Sequence, residues 1–475
     1  MLDFIERGII PIGAYCAPQC PSGELKNRIT LEQYKIAKDC GVDIMYGHSE
    51  VIGTETEKYV FDALEICERV GIKYFVRDAI ANEYIEIVTG DKTKAFSDLN
   101  ENEKKDLNER FKKSIERYCK YKAFGGIIFA DEPGYDSLDG ISEAQKVFKS
   151  LCPNKTFYVN MYPYYITPEQ YQFGFRCSKV NRKSDIEEFR IIEGGRNIKR
   201  YEFLYRTYIN KVKPEIFSYD AYPFITIGTM KTGVHEILWE MPQFLHMYEL
   251  KNGTPYAAFL QAGGLWEGDT RTRVPTFGEV RLGVSVPLLY GAKCLQIFPY
   301  MFPNDWADDD VAYAGIVDAN GNKTEFFDYY KQTLKQVKAI SGYLLKSEIK
   351  GVIKSGKYSN GLPCKEEIEN IRWSECIYQG DLPECGNMEI SPQKPLVNVD
   401  SKIQSLVGCL KTNTDEGYFV VNTSSTELNE VELIFDGEYH FDIIQSALKT
   451  EFFGSKITLH LQEGENVLVI KKGGI

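Results

Sequence analysis

Up to about residue 345 the chain repeats one rhythm, a short apolar run followed by a longer amphipathic segment, and few folds accommodate that alternation. The runs cover residues 8–15, 42–48, 72–78, 126–132, 156–162, 216–222, 255–262 and 292–300. Each has the length and composition of a strand buried on both faces. The intervening stretches 30–40, 56–70, 101–121, 142–151, 198–212, 235–248 and 276–290 carry apolar residues at helical spacing. Gly41, Gly71, Gly125 and Gly291 stand just before four of the runs, where a helix-ending glycine is expected. Eight such units predict a closed barrel, because an open sheet usually has fewer strands. From residue 349 the helical period is lost and short alternating strands follow, at 351–354, 403–410, 417–422, 430–435, 439–444, 456–461 and 465–470. The expected architecture is therefore α/β: a (β/α)8 TIM barrel over residues 1–345, then a small all-β sandwich over residues 346–475. Residues 357–402, rich in Gly, Pro, Glu, Asn and Cys, read as an irregular excursion.

Charge and cysteine usage narrow the function classes. The chain of 475 residues has 56 basic and 68 acidic residues, a formal charge of −12, and no basic run interleaved with aromatics. Nucleic acid is not an expected partner. The N-terminal stretch Met1-Leu2-Asp3-Phe4-Ile5-Glu6-Arg7 carries acids where a secretory signal carries a basic segment. No run approaches the roughly 18 apolar residues of a membrane span, so no membrane association and a cytoplasmic location are expected. The 12 cysteines show no paired CxxC spacing and read as reduced thiols, and the five histidines are too scattered to form a metal cluster. Neither a metal nor a cofactor is expected.

The fourth run, Gly126-Ile127-Ile128-Phe129-Ala130-Asp131-Glu132, stops in two carboxylates followed by Pro133 and Gly134. Acids where a barrel strand ends lie at the face where barrel enzymes keep their chemistry. Cleaving a glycosidic bond generally takes two carboxyl groups, one to protonate the leaving oxygen and one acting as nucleophile or base. Strand ends supply Asp78, Asp131, Glu132 and Asp220, the last within Phe217-Ser218-Tyr219-Asp220-Ala221-Tyr222-Pro223. Arg77 and His48 also sit at strand ends, as do Tyr162, Tyr219 and Tyr222, whose flat faces suit pyranose rings. The long connection after strand five, rich in Tyr and Phe, is either a lid or wall over the site or a helix whose aromatics pack inward. Thr276 and Glu279 read as a capping box.

Asp131-Glu132-Pro133 after an apolar fourth strand, the eight-unit rhythm and the trailing β domain together resemble the clan A retaining glycoside hydrolases, particularly the β-galactosidase-like members. Gln261-Ala262-Gly263-Gly264-Leu265-Trp266, then Arg273-Val274-Pro275-Thr276, looks like the region between strands seven and eight of such barrels. The resemblance implies Glu132 as general acid/base and places Asp131 where that family keeps a sugar-binding Asn. It also places Gln261 at the nucleophile position, and a glutamine cannot form the glycosyl ester. The expectation is thus an enzyme, a hydrolase of O-glycosidic bonds in short oligosaccharides or glycosides, with Glu132 and Asp220 as its carboxylates. Asp131, Asp78, Arg77, His48, Tyr162, Tyr219, Tyr222, Gln261 and Trp266 are the expected substrate-binding residues. One alternative is a substrate-assisted hexosaminidase using the Asp131–Glu132 pair. The other is a non-hydrolytic carbohydrate-binding barrel without a nucleophile. The C-terminal domain is expected to pack on the barrel and to offer a site wall or a homo-oligomer contact.

Overall fold

The structure, a computed structural model, describes residues 1–23, 25–89, 92–164, 168–174, 197–227, 231–234, 237–264, 266–267, 270–272, 274–302, 315–357 and 388–473. Eight parallel strands close a barrel in sequential order: β1 (Ile12–Ala14), β2 (Ile44–Tyr46), β3 (Lys73–Arg77), β4 (Phe124–Asp131), β5 (Thr156–Met161), β6 (Phe217–Tyr219), β7 (Tyr256–Gln261) and β8 (Cys294–Phe298). A helix follows each: α1 (Leu31–Cys40), α2 (Glu57–Val70), α3 (Glu101–Tyr118), α4 (Leu138–Leu151), α5 (Asn197–Val212), α6 (Ile237–Asn252), α7 (Phe277–Leu289) and α8 (Glu325–Leu344). The (β/α)8 barrel expected from the alternation is thereby present.

Local chemistry sets the element ends. Thr30, Asn100, Thr276 and Thr324 cap α1, α3, α7 and α8 with side-chain oxygens, and Thr276 with Glu279 forms the anticipated capping box. Gly41 and Gly71 end α1 and α2 at φ of 104° and 73°. Gly125 departs from its expected role. It lies inside β4, where an added Cβ would come within 2.8 Å of the Phe75 ring, so it permits strand approach and stops no helix.

The barrel interior is filled by aromatics from successive strands. Tyr46 stacks between Tyr15, Phe75 and Tyr158 at centroid distances of 5.4, 5.0 and 4.9 Å. A Cβ at Gly13 would lie 2.5 Å from the Tyr46 ring, so glycine there lets that ring cross the barrel. This aromatic plug is the floor on which the site rests.

The C-terminal strands are β9 (Glu348–Ser355), β10 (Leu396–Ser401), β11 (Ser405–Lys411), β12 (Glu416–Asn422), β13 (Asn429–Gln445), β14 (Leu448–Leu461) and β15 (Asn466–Lys471). They form one antiparallel sheet in the order β9-β11-β12-β15-β13-β10, with β14 on β13. The long β13 pairs with β10 through its first half and with β15 through its second, so the two layers expected of a sandwich are joined through a single strand. Tyr418, Val420, Val467 and Val469 face the core inside the sheet, whereas Phe419, Val421, Leu468 and Ile470 join the core shared with the barrel helices. The strand β10 falls within the stretch read as irregular, because half of its side chains, Val397, Asn398 and Asp400, face solvent and break the apolar alternation. Residues 358–387 of that stretch lie outside the described residues. No helix among the described residues is long and apolar enough to cross a membrane.

Candidate functional site

Strand alternation alone sends Asp131 and Glu132 to opposite sides of the barrel wall. Two irregularities overrule it. Between β4 and β5 the register slips after Ile128, leaving Phe129 as an extra residue, and Asp131 comes level with Asn160. Glu132 then adopts φ of 48°, the left-handed region that an L side chain occupies at a cost of roughly 1–3 kcal/mol. Both carboxyls thus reach one site. The strained turn is held on one side by Glu132 N–H donating to Asn160 O at 2.8 Å. On the other, the helix Pro168–Phe173 lies directly against it: a Cβ at Gly134 would be 2.4 Å from Gln172 O and from Gly174 N. Tyr164 and Tyr171 of this connection are buried, so its described aromatics pack inward while its backbone braces the turn. Residues 175–196 lie outside the described residues.

Three carboxylates converge. Asp220, buried just beyond β6, is in contact with Glu132, carboxyl to carboxyl. Asp220 Oδ1 has no protein donor among the described residues. A buried acceptor in that state is costly unless a neighbour supplies a proton. Burial, then the charges of Asp220 and Asp131, push the Glu132 pKa well above the usual glutamate range. Burial, then Asp131, raises Asp220 to about 7, while the contact with Glu132, its own backbone amide and Asn160 pull it back. The two carboxyls therefore titrate as a pair, both above their ordinary range. Asp131 is lifted by burial and lowered by Arg77 and Asn160. Water reaches its side chain at the end of β4, and that screening blunts the lift.

Around these acids stand several of the residues read from the sequence. Tyr162 contacts Glu132, and Tyr222 feels all three acids while packing on Phe298 at 5.2 Å. Arg77 is the counter-charge of Asp131 and not of Asp220, and its Nη1 donates to His48 O at 3.3 Å. Burial and the Arg77 charge hold the His48 pKa down to about 3, so its imidazole is neutral. The Tyr15 hydroxyl faces Asp131 from outside strict hydrogen-bond geometry.

Asp78, Tyr219 and Gln261 are engaged in other contacts. Asp78 accepts from Ser114 Oγ at 2.5 Å, Tyr118 Oη at 3.1 Å and Ile80 N at 3.2 Å, so it ties β3 to α3 behind the barrel wall. Tyr219 has the outward parity opposite to Ser218 and Asp220, and it packs near Tyr256 at a centroid distance of 6.5 Å. Gln261 accepts from Phe224 N at 3.0 Å and donates to Phe224 O and Gly263 O, both at 3.1 Å, so its amide staples β7 to the segment after β6. Trp266 lies in the short strand Trp266–Glu267, and its side chain is outside the described residues.

Asn160 was not legible as a site residue. Its Nδ2 donates to Asp131 Oδ1 at 3.1 Å and its Oδ1 accepts from Ser218 Oγ at 3.0 Å. The available signal was an amide in an otherwise apolar strand, Phe157-Tyr158-Val159-Asn160-Met161, at the same parity as Tyr158 and Tyr162.

No family model and no curated protein matches the chain. Solved structures do match. A GH42 β-galactosidase from G. stearothermophilus superposes with a TM-score of 0.52 at 10% identity, covering 98% of both chains. A protein described as a glycoside hydrolase superposes with a TM-score of 0.50 at 9% identity, covering 98% of this chain and 93% of that one. This chain shares the fold of those two structures, a closed barrel of eight parallel strands followed by an antiparallel sheet. The likeness spans the barrel and the C-terminal sheet together, and at this identity it concerns the fold alone.

Proposed function

We propose that the protein is a glycoside hydrolase that cleaves O-glycosidic bonds of short oligosaccharides or glycosides, with Glu132 as general acid/base and Asp220 as the second carboxylate. The observation that supports this reading is the contact between the Glu132 carboxyl and the buried Asp220: burial raises both, Glu132 well above its usual range and Asp220 only to about 7, so above that pH the pair is read as one acid beside one anion. Glu132 protonates the glycosidic oxygen as Asp220 attacks the anomeric carbon, and the aglycone alcohol leaves. Water then attacks the same carbon, its proton passes to Glu132, and the ester bond to Asp220 breaks. The second carboxylate is taken from β6 because the strand-seven position holds Gln261, whose amide is engaged by backbone groups.

The substrate-assisted reading is less well supported, since Asp131 already accepts from Asn160 and neighbours Arg77. A panel of 4-nitrophenyl glycosides that includes N-acetylhexosaminides tests the proposal in wild type, Glu132→Gln and Asp220→Asn. Turnover lost in both variants supports it. Turnover confined to N-acetylhexosaminides and surviving Asp220→Asn supports the substrate-assisted reading. Sugar binding without turnover in the wild type supports a non-hydrolytic barrel.

A further inference from the structure

We propose that Asn160 is a positioning residue whose amide, locked by a hydrogen-bond relay across the barrel interior, holds Asp131 and Asp220 as anions so that the shared proton stays on Glu132. The inference rests on the acid–anion reading of the Glu132–Asp220 pair.

The relay is read from donor counts. Ser218 Oγ lies 3.0 Å from Asn160 Oδ1, 2.8 Å from Gln296 Nε2 and 2.8 Å from the Tyr158 hydroxyl. An amide oxygen only accepts, so the single Ser218 proton points to Asn160. The Gln296 amide can only donate from Nε2, and the Tyr158 hydroxyl must then donate as well. All protons in the relay therefore run toward Asn160, and they fix its Oδ1 on Ser218 and its Nδ2 on Asp131. The reversed amide would place an oxygen against the Asp131 carboxylate, two acceptors face to face. Tyr158, Asn160, Ser218 and Gln296 are each no more than 2% exposed, so no water competes for the bonds among these four.

The Asn160 amide also acts on Asp220, whose pKa it lowers, and the Asn160 carbonyl accepts the Glu132 N–H at 2.8 Å. One residue on β5 thereby bonds two of the acids, Asp131 through its side chain and Glu132 through its backbone, and lowers the pKa of the third, Asp220. A donor facing two carboxylates stabilises their ionised forms. Removing it raises both, brings Asp220 toward Glu132 in proton affinity and blurs the division between acid and anion.

The test compares wild type, Asn160→Ala, Asn160→Asp and Ser218→Ala by isotope-edited infrared titration of the carboxyls, with Asp220→Asn identifying the Asp220 band. This readout needs no substrate. The proposal predicts that the Asp220 midpoint rises by about 1 pH unit in Asn160→Ala, rises further in Asn160→Asp and rises less in Ser218→Ala. On whichever aryl glycoside is turned over, kcat is expected to fall about 10–100-fold with KM within about threefold, and the acidic limb of the rate profile to move with the infrared midpoint. Ser218→Ala keeps the test informative if Asn160→Ala folds poorly, because it frees the amide without removing it. An Asp220 midpoint unchanged in Asn160→Ala and Ser218→Ala overturns the inference while leaving the roles of Glu132 and Asp220 intact. Turnover surviving Glu132→Gln overturns the functional reading instead.

Discussion

At the scale of single residues, the site turns on which carboxyl holds a proton. Replacing Glu132 by Gln removes the acid while keeping its shape, and kcat for an aryl or alkyl glycoside is expected to drop about 10²–10⁴-fold. The pH profile follows from the shifts. In the proposed mechanism Asp220 is ionised and Glu132 protonated, so the rate should rise as pH climbs through about 7, where Asp220 titrates, and fall again only where Glu132 loses its raised proton. Stability should respond in the opposite sense. The unfolded chain ionises Asp220 near its ordinary value of 3.8, whereas the folded protein keeps the proton up to about 7, so folding is penalised increasingly across that window. Asp220→Asn abolishes the penalty. Its Tm should equal the wild type at about pH 4 and exceed it by about 2 °C or more at pH 8, as scanning calorimetry would show. The sequence disclosed part of this site. Parity along Ser218, Asp220 and Tyr222 places Asp220 and Tyr222 inside and Tyr219 outside, a distinction present in the alternation but missed when strand-end tyrosines are grouped together. The convergence of Asp131 with Glu132 was not legible, because it depends on a bulge and a left-handed residue that strand periodicity does not encode.

At the scale of elements, the turn after β4 works because two backbones meet without side chains between them. Gly134 and Gly174 face each other, and a Cβ on Gly174, at φ of 74°, would sit 2.6 Å from Glu132 O. Gly134→Ala must push the helix Pro168–Phe173 away or shift Glu132, at a cost of about 1–3 kcal/mol. The expected outcome is a lower Tm with a disproportionate loss of kcat, checked by parallel melting and kinetic measurements; a Tm loss with kcat unchanged would separate the brace from the chemistry. The glycines before strands were read as helix stops. Gly41 and Gly71 are, but Gly125 is not, because the same residue type serves close strand packing and only the neighbouring Phe75 ring distinguishes the two uses.

At the scale of the whole molecule, the C-terminal sheet is bound into the barrel by polar and apolar contacts alike. Asn466 Nδ2 donates to Ser285 Oγ on α7 at 2.8 Å, Gln336 on α8 donates to Ile444 O at 3.0 Å, and a Cβ on Gly278 would meet Ser425 O at 2.2 Å. Leu406, Leu410, Phe419, Val421, Leu468 and Ile470 extend the barrel-helix core into the sheet. Calorimetry should therefore record one cooperative transition, and a chain ending at residue 345 should aggregate because it exposes that apolar face. Strand and helix alternation made the two-part architecture readable, whereas β10 was hidden by its mixed, half-exposed sequence. The central claim, that Asp220 and not a strand-seven acid carries the glycosyl group, is tested most directly by trapping. The intact protein is incubated with 2-deoxy-2-fluoro glycosides of the sugars it turns over, then mapped by peptide mass spectrometry. A single glycosyl adduct on Asp220, absent in Asp220→Asn, is the predicted result; an adduct on any other carboxylate, or turnover that leaves Asp220 unmodified, contradicts the account.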